Sequence, residues 1–221
     1  MARLVASPAY ASTAAGSRQA DIEGTGRIHP FTFDLEDEPS IAAAAAQIGK
    51  AGALDLIIVT TGLLHGGGIA PEKSWRALDP ATMARVFALN TIGPALIAKH
   101  FLPLLARDRR SVFAVLSARV GSISDNRLGG WHSYRASKAA LNMLVRNFAL
   151  ELATRNPNAI AVALHPGTVA TRLSEPFQHG VAADRLFSPD VSAGHLLTVL
   201  DGLTVQDSGG LFAWDGTAIA F

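Results

Sequence analysis

Short apolar runs alternate along this chain with longer segments whose apolar positions recur at helical spacing. Residues 54–60 (LDLIIVT), 111–116 (SVFAVL) and 159–164 (AIAVAL) are almost continuously apolar. A strand covered on both faces has no polar side, so such runs predict buried parallel strands. Residues 27–34 (RIHPFTFD) predict a strand ending at an acid, 210–214 (GLFAW) a last short one, and 3–6 another near the start. That first strand is followed by a polar, small-residue stretch running to Gly26. Helical spacing covers residues 39–49, 80–106, 132–155 and 189–202. Glu36, Asp37 and Glu38 precede the first of these, which suits the positive end of a helix. Strands alternating with helices predict parallel βαβ units and an α/β fold, a Rossmann-like doubly wound parallel sheet. No repeat or linker divides the chain, so residues 1–221 form one domain.

Composition narrows the function classes. The 221 residues are enough to bury a sizeable core. Nineteen basic and 18 acidic residues are mixed along the chain, for a net charge of +1, and no basic block marks nucleic acid or an anionic membrane as a partner. The absence of cysteine excludes disulfides, thiolate chemistry and thiol-ligated metals. The seven histidines, at 29, 65, 100, 132, 165, 179 and 195, show no metal-ligand spacing, so no metal site is expected. Residues 1–17 lack the apolar core of a signal peptide, and no apolar run is read as long enough to span a bilayer. The expected location is cytoplasmic.

The chemistry concentrates in residues 112–145. Tyr134 and Lys138, four residues apart at the start of a predicted helix, share one face. A free phenol, with a pKa of about 10, is a poor base near neutrality. An ammonium close by favours the phenolate and lowers that value, giving a usable general acid/base. A bare Tyr-x-x-x-Lys is usually an exposed helical pair. Here a buried strand ends at Ser117, a loop with Gly121, Gly129 and Gly130 follows, and the helix opens YRASKAA.

With SARVGSISDN, YRASKAALN, Asn90 in LNTIG, Asp34-Leu35 after a strand and HPGTVATRL, the sequence resembles the short-chain dehydrogenase/reductase family, in its C-factor-like branch. The resemblance covers residues 27–221. It implies an NAD(P)-dependent oxidoreductase passing hydride between nicotinamide and a carbonyl or alcohol. In that family's scheme Tyr134 exchanges a proton with the substrate oxygen. Lys138 lowers the Tyr134 pKa and hydrogen-bonds the nicotinamide ribose, and Asn90 holds a relay water. Pro166, Gly167, Thr168 and Thr171 cover the carboxamide. Asp34 lies near the adenine, with Leu35 offering backbone contacts. A homodimer or homotetramer, joined through the helices containing Asn90 and Tyr134, is also implied.

Three departures stand out. The family's Ser-Ser pair reads Ser117-Ala118, so Ser117 at the strand end is taken as the catalytic serine, with Ser122 as the alternative; a strand-ending hydroxyl satisfied by backbone is the bland account of Ser117. The family's Asn-Asn-Ala-Gly reads Val59-Thr60-Thr61-Gly62; Gly62 keeps the close approach to the ribose, and Thr60 or Thr61 either replaces lost hydrogen bonds or ends a plain turn. No strand leads into a Gly-rich turn and helix to receive a pyrophosphate, since Gly24 and Gly26 precede a strand. Residues 3–7 match the family's second strand, which places its first strand and helix before Met1, an N-terminal truncation relative to the family. The tip of that second strand, Ala6-Ser7-Pro8, carries neither an acid for ribose hydroxyls nor an arginine for a 2′-phosphate, and NADP is preferred over NAD for want of the acid.

Other signals carry less. His65-Gly66-Gly67-Gly68 imitates a lipase oxyanion loop, but no Gly-x-Ser-x-Gly accompanies it. Residues 171–189 sit where the family places a substrate lid, and Phe177, Val181, Leu186 and Phe187 predict an apolar pocket wall. Two readings remain: an NAD(P)-dependent enzyme acting on a small carbonyl or alcohol, and a cofactor-poor scaffold acting as a signalling or regulatory protein.

Overall fold

The computed structural model describes residues 12–18, 24 and 26–221. The four apolar runs downstream of residue 50 form one parallel sheet in the order β3 (Leu56–Val59), β4 (Ser111–Leu116), β5 (Ala159–His165), β8 (Leu211–Ala213). β4 and β5 are buried on both faces, which is why they lack alternation. Val112, Ala114, Ile160 and Val162 face α5 (Pro189–Gly202), and Phe113, Val115, Ala161 and Ala163 face the larger core on the other side.

Two further strands, β1 (Thr13–Ser17) and β2 (Ile28–Thr32), pair in parallel as a separate sheet. β1 corrects the sequence reading. The strand beside residues 27–34 is Thr13–Ser17, inside the stretch read as polar and rich in small residues; the strand expected at residues 3–6, its match to the family's second strand and the tip Ala6-Ser7-Pro8 lie outside the described residues. TAAGS has no apolar alternation to announce it. Its Gly16 accommodates the stacked rings of Phe31 and Phe33: a Cβ there would stand 2.4 Å from Phe31.

α1 (Glu38–Gly49) buries Ile41, Ala44 and Ala45, and its first-turn Glu38 meets Lys99 at 2.5 Å and His100 at 3.0 Å across the helix packed beside it. The helix expected over residues 80–106 is broken into α2 (Pro80–Phe87), a π-helical turn (Ala88–Ile92), α3 (Gly93–Phe101) and a 3-10 turn (Leu102–Leu104). The Asp79 carboxylate caps α2 by accepting from Thr82 N–H at 2.7 Å, and that bond holds its pKa below the ordinary value. Pro80–Leu104 is, at a mean hydropathy of 1.3, long and apolar enough to cross a bilayer, which corrects the reading that no such run exists. In this fold its Val86, Ile97, Ala98 and Phe101 are buried within the protein, and its Arg85 pairs with Glu36. α4 (His132–Arg155) lies beside this segment and against β5.

Candidate active site

The candidate residues come from segments that end at one edge of the sheet. These are the C-terminal ends of β3, β4 and β5 and the first two turns of α4, the place where doubly wound folds bind ligands. Tyr134 and Lys138 are both buried on one face of α4, with Lys138 Nζ 5.9 Å from the Tyr134 ring centroid. Lys138 Nζ donates to the Leu116 carbonyl at the end of β4, at 2.7 Å. Gly121, in the loop after β4, lies flat against the same turn: a Cβ there would come within 2.7 Å of Lys138 Cβ and 3.0 Å of its carbonyl carbon.

Burial, not charge, dominates the titration of this pair. It pushes the Tyr134 phenol up to about 12 and the Lys138 ammonium down to about 8. The expectation that Lys138 holds the phenol below its ordinary value is therefore corrected for the protein alone. The lysine is turned to a backbone carbonyl, and both groups are stripped of water. Tyr134 in this state keeps its proton near neutrality.

Asn90, fully buried in the π-helical turn, joins three elements. Its Oδ1 accepts from Leu63 N–H at 2.7 Å, and its Nδ2 donates to Leu63 O at 2.8 Å and to Ser137 Oγ at 3.1 Å. Ser137 in turn donates to the Tyr134 carbonyl at 2.8 Å, while its own carbonyl accepts from Thr91 Oγ1 at 2.9 Å. The extra residue of a π-turn carries Asn90 inward, a usual sign of a functional position. Gly93, just after it, closes on Leu35: a Cβ there would lie 3.0 Å from Leu35 Cδ2. Asp34 Oδ1 accepts from Glu36 N–H at 3.0 Å, an Asx turn that exits β2 toward α1.

Neither candidate serine directs its hydroxyl at Tyr134. Ser117 Oγ donates to Asn142 Oδ1 at 2.6 Å, one helical turn beyond Lys138. Ser122 Oγ donates to the Ala220 carbonyl and accepts from Asp125 N–H. The residue of this loop that packs with Tyr134 is Ala118, together with Leu64, Val120, Trp131 and Phe177. At the position of the family's second serine there is thus a methyl group, and the surroundings of the phenol are apolar.

Phe177, from the segment 171–189, packs at a tilt on Trp131 with centroids 4.8 Å apart, and Trp131 meets Tyr134 edge-on at 6.3 Å. His65, beside Phe177 at 5.7 Å, bonds through Nε2 to the Arg172 carbonyl at 2.8 Å. The His-Gly-Gly-Gly loop is thereby tied to the segment 171–189. Phe187, expected in the pocket wall, turns away instead: it packs with His195 and Trp214 at 5.1 and 4.6 Å. This cluster backs Gly167, whose φ of +75° and Cβ space, 2.7 Å from the Phe187 ring, demand glycine. Ser192 Oγ donates to the Pro166 carbonyl at 2.9 Å, fixing the same turn to α5. Thr168 begins the short strand β6 (Thr168–Val169), paired with β7 (Leu186–Phe187), and the exposed Thr171 hydroxyl turns back to the Val169 carbonyl at 3.4 Å.

His165, ending β5, is held at about 4 by burial and by the Arg119 charge, with Asp215 opposing. The unfolded chain takes up this proton from about pH 6.5 downward, whereas the folded chain resists to about 4. Stability therefore falls as pH drops through that window, by roughly 2–3 kcal/mol. Urea midpoints at pH 4 and 7 are expected to differ less in His165→Asn than in the parent; an equal difference would remove His165 as the cause.

Several features fit a nicotinamide nucleoside. Thr61 Oγ1 is buried without a partner. The missing side chain of Gly62 opens onto Lys138 Nζ and Asn90 Oδ1, 3.6 and 3.7 Å from where its Cβ would lie. Lys138 Nζ carries three donors, of which the Leu116 carbonyl takes one. Among the described residues no strand runs into a Gly-rich turn and helix, so no residues are assigned to a pyrophosphate.

Comparison with known proteins gives the family. The short chain dehydrogenase family model matches residues 4–182. C-signal of Myxococcus xanthus is 37% identical over 160 residues, 71% of this chain and 90% of that protein. The 1-hydroxy-2-glutathionyl-2-methyl-3-butene dehydrogenase of a Rhodococcus strain is 31% identical, over 90% of this chain and 82% of its own. An NADPH-bound carbonyl reductase from chicken fatty liver superposes with a TM-score of 0.76 at 31% identity, covering 88% of this chain and 78% of that one. The chain belongs to the short-chain dehydrogenase/reductase family, in its C-factor-like branch, and is an NAD(P)-dependent oxidoreductase by family.

Proposed function

We propose that this chain reduces apolar carbonyl compounds with NADPH, Tyr134 acting as the proton donor. The observation that carries the proposal is the convergence of Tyr134, Lys138, Asn90 and Gly62 beside an apolar wall of Leu64, Ala118, Val120, Trp131 and Phe177. When bound, the nicotinamide supplies the hydride. The protein's part is to place the substrate oxygen against the phenol and to exclude water under the lid. Tyr134, its proton held by burial, gives it to the oxygen as negative charge develops there. Lys138 and Thr61 would hold the ribose hydroxyls, and cationic Lys138 then stabilises the phenolate left behind. Asn90 keeps the residue 61–63 segment, Ser137 and thus the Tyr134 turn in register. Pro166 and Gly167, backed by the Phe187 cluster, would face the carboxamide, with Thr168 and Thr171 on the same lip. Asp34 and Leu35, at the exit of β2, lie on the side for the adenine. With Ala118 in place of a second hydroxyl, the substrate oxygen depends on Tyr134 alone among the residues packed there.

The preference for NADPH rests on the corrected strand. β1 ends at Ser17, and the next residue is Arg18, exposed, at the strand end where an adenosine 2′-phosphate would lie. A guanidinium there suits a phosphate. Fluorescence titration is expected to give micromolar NADPH affinity, with Arg18→Ala weakening it by about 10–30-fold while leaving NADH unchanged, as for loss of one charge-assisted bond. Equal losses for both nucleotides would assign Arg18 no part in the choice.

The 37% identity to C-signal and the engagement of both serine hydroxyls favour one second reading, a scaffold acting through protein contacts. Failure of either nucleotide to bind at millimolar concentration would support it. Exposed Ile92, Met143 and Leu150 on the π-turn and α4 form an apolar face that fits a homodimer or homotetramer; a monomeric mass by light scattering would contradict this. A cytoplasmic location accords with the absence of cysteine.

A further inference from the structure

We propose that Glu72 is the positioning residue of Tyr134, standing in for the N-cap that its helix lacks. This rests on the assignment of Tyr134 as proton donor. The N-cap position of α4 is Trp131, with φ +50° and ψ +43° and no side-chain cap; among the described residues it is the one non-glycine with positive φ. The first N–H groups of a helix have no partner inside it and need an external acceptor. Glu72 supplies it from 61 residues upstream: its Oε2 accepts from Ser133 N–H at 3.2 Å and its Oε1 from the Ser133 hydroxyl. Its backbone carbonyl accepts from Trp131 N–H at 2.6 Å.

Both partners are buried, Glu72 to 6% and Ser133 to 2% exposure, so water does not share the task. Burial opposes the charge on Glu72, but the Ser133 hydroxyl and amide outweigh it and keep the carboxyl below its ordinary pKa. One fastening thus sets two things. Ser133 directly precedes Tyr134, so the carboxylate fixes the turn from which the phenol projects. The left-handed Trp131, tied to the same residue, carries its indole against Tyr134 and Phe177. Lys138, one turn later, is anchored independently by Leu116 and Gly121. Loosening Glu72 therefore moves the phenol relative to a fixed lysine, and the nucleotide site stays in place.

The test uses the full chain, 9,10-phenanthrenequinone as substrate probe and NADPH as donor. Glu72→Ala is expected to lower kcat about 30-fold, the scale of a small misplacement of a reacting group, with KM and NADPH affinity within about threefold. Glu72→Gln keeps an acceptor without the charge and is expected to recover activity only in part, to about 3–10-fold below the parent, with a smaller quickening of exchange at residues 132–136. Adding Ser133→Ala to Glu72→Ala should cost less than about twofold more, because the two share one interaction. Hydrogen exchange at residues 132–136 is expected to quicken in Glu72→Ala while the core of α4 is unchanged. Parent-like kcat with parent-like exchange in either variant overturns the proposal, as does a parallel loss of NADPH affinity and global exchange protection. If Glu72→Ala does not fold, Glu72→Gln is read by the same criteria. If the parent itself neither binds NADPH nor turns over the quinone, the assigned reaction has failed; the exchange at residues 132–136 then still decides the role of Glu72, with no change overturning it.

Discussion

Tyr134→Phe is expected to lower NADPH-dependent carbonyl reduction by about a thousandfold while changing NADPH affinity by less than about threefold. The substitution removes one oxygen from a ring packed among Ala118, Leu64 and Trp131, so the apolar contacts survive. What disappears is the proton source, and neither serine of the loop after β4 replaces it: Ser117 is committed to Asn142, Ser122 to the Ala220 carbonyl, and position 118 is a methyl. Steady-state rates with a quinone probe, set beside fluorescence titration, separate the two effects. Turnover equal to the parent would take Tyr134 out of the reaction; matched losses of rate and nucleotide affinity would give it a binding role only.

The second large effect is on stability. Asn90→Ala strips three hydrogen bonds made by a fully buried side chain and leaves the part-buried Leu63 N–H and C=O without their partner. Each stranded group costs about 1–3 kcal/mol, so a total loss of roughly 3–5 kcal/mol is expected. For a chain of this size that corresponds to a fall in Tm of about 10 °C. Asn90→Asp retains the acceptor for Leu63 N–H but loses the donor to Leu63 O and Ser137, and it buries a carboxyl near Lys138; calorimetry should place it below the parent too. A melting temperature within a degree or two of the parent for Asn90→Ala would mean that Leu63 and Ser137 are satisfied in another way.

Much of the sheet was legible because β3, β4 and β5 are covered on both faces, and a short, unbroken apolar run rich in β-branched residues suits little else than such a strand. α4 and α5 were equally plain from their spacing. β1 was not, because TAAGS presents small side chains whose role is to admit Phe31 and Phe33 from the next strand; the signal lies in the partner, not in the strand. The π-turn at Asn90 was hidden for a related reason, since one added residue hardly alters the apolar spacing of a helix.

At the candidate site the sequence brought Tyr134, Lys138, Asn90 and Gly62 to one place. It missed which way the serines turn, because a hydroxyl's partner is set by whatever lies across the loop, here Asn142 and Ala220. It also misjudged the phenol: spacing of four residues describes proximity, while the pKa follows from water lost by both groups and from the carbonyl that Lys138 chooses. Glu72 carried no motif at all. The available clue was a helix opening on Gly-Gly-Trp-His with no Ser, Thr, Asp or Asn at its N-cap, which requires an acceptor from elsewhere.

The contact of Gly121 with the backbone of Lys138 bears on how this protein can vary. Because the chain is clamped at that glycine, and clamped again where Trp131 meets Glu72, the segment between them is a span hung from two fixed posts. Its Ile123 and Leu128 stand in solvent at 77% and 90% exposure. Sequence at these two exposed positions is free to drift without disturbing the lysine on one side or the phenol on the other.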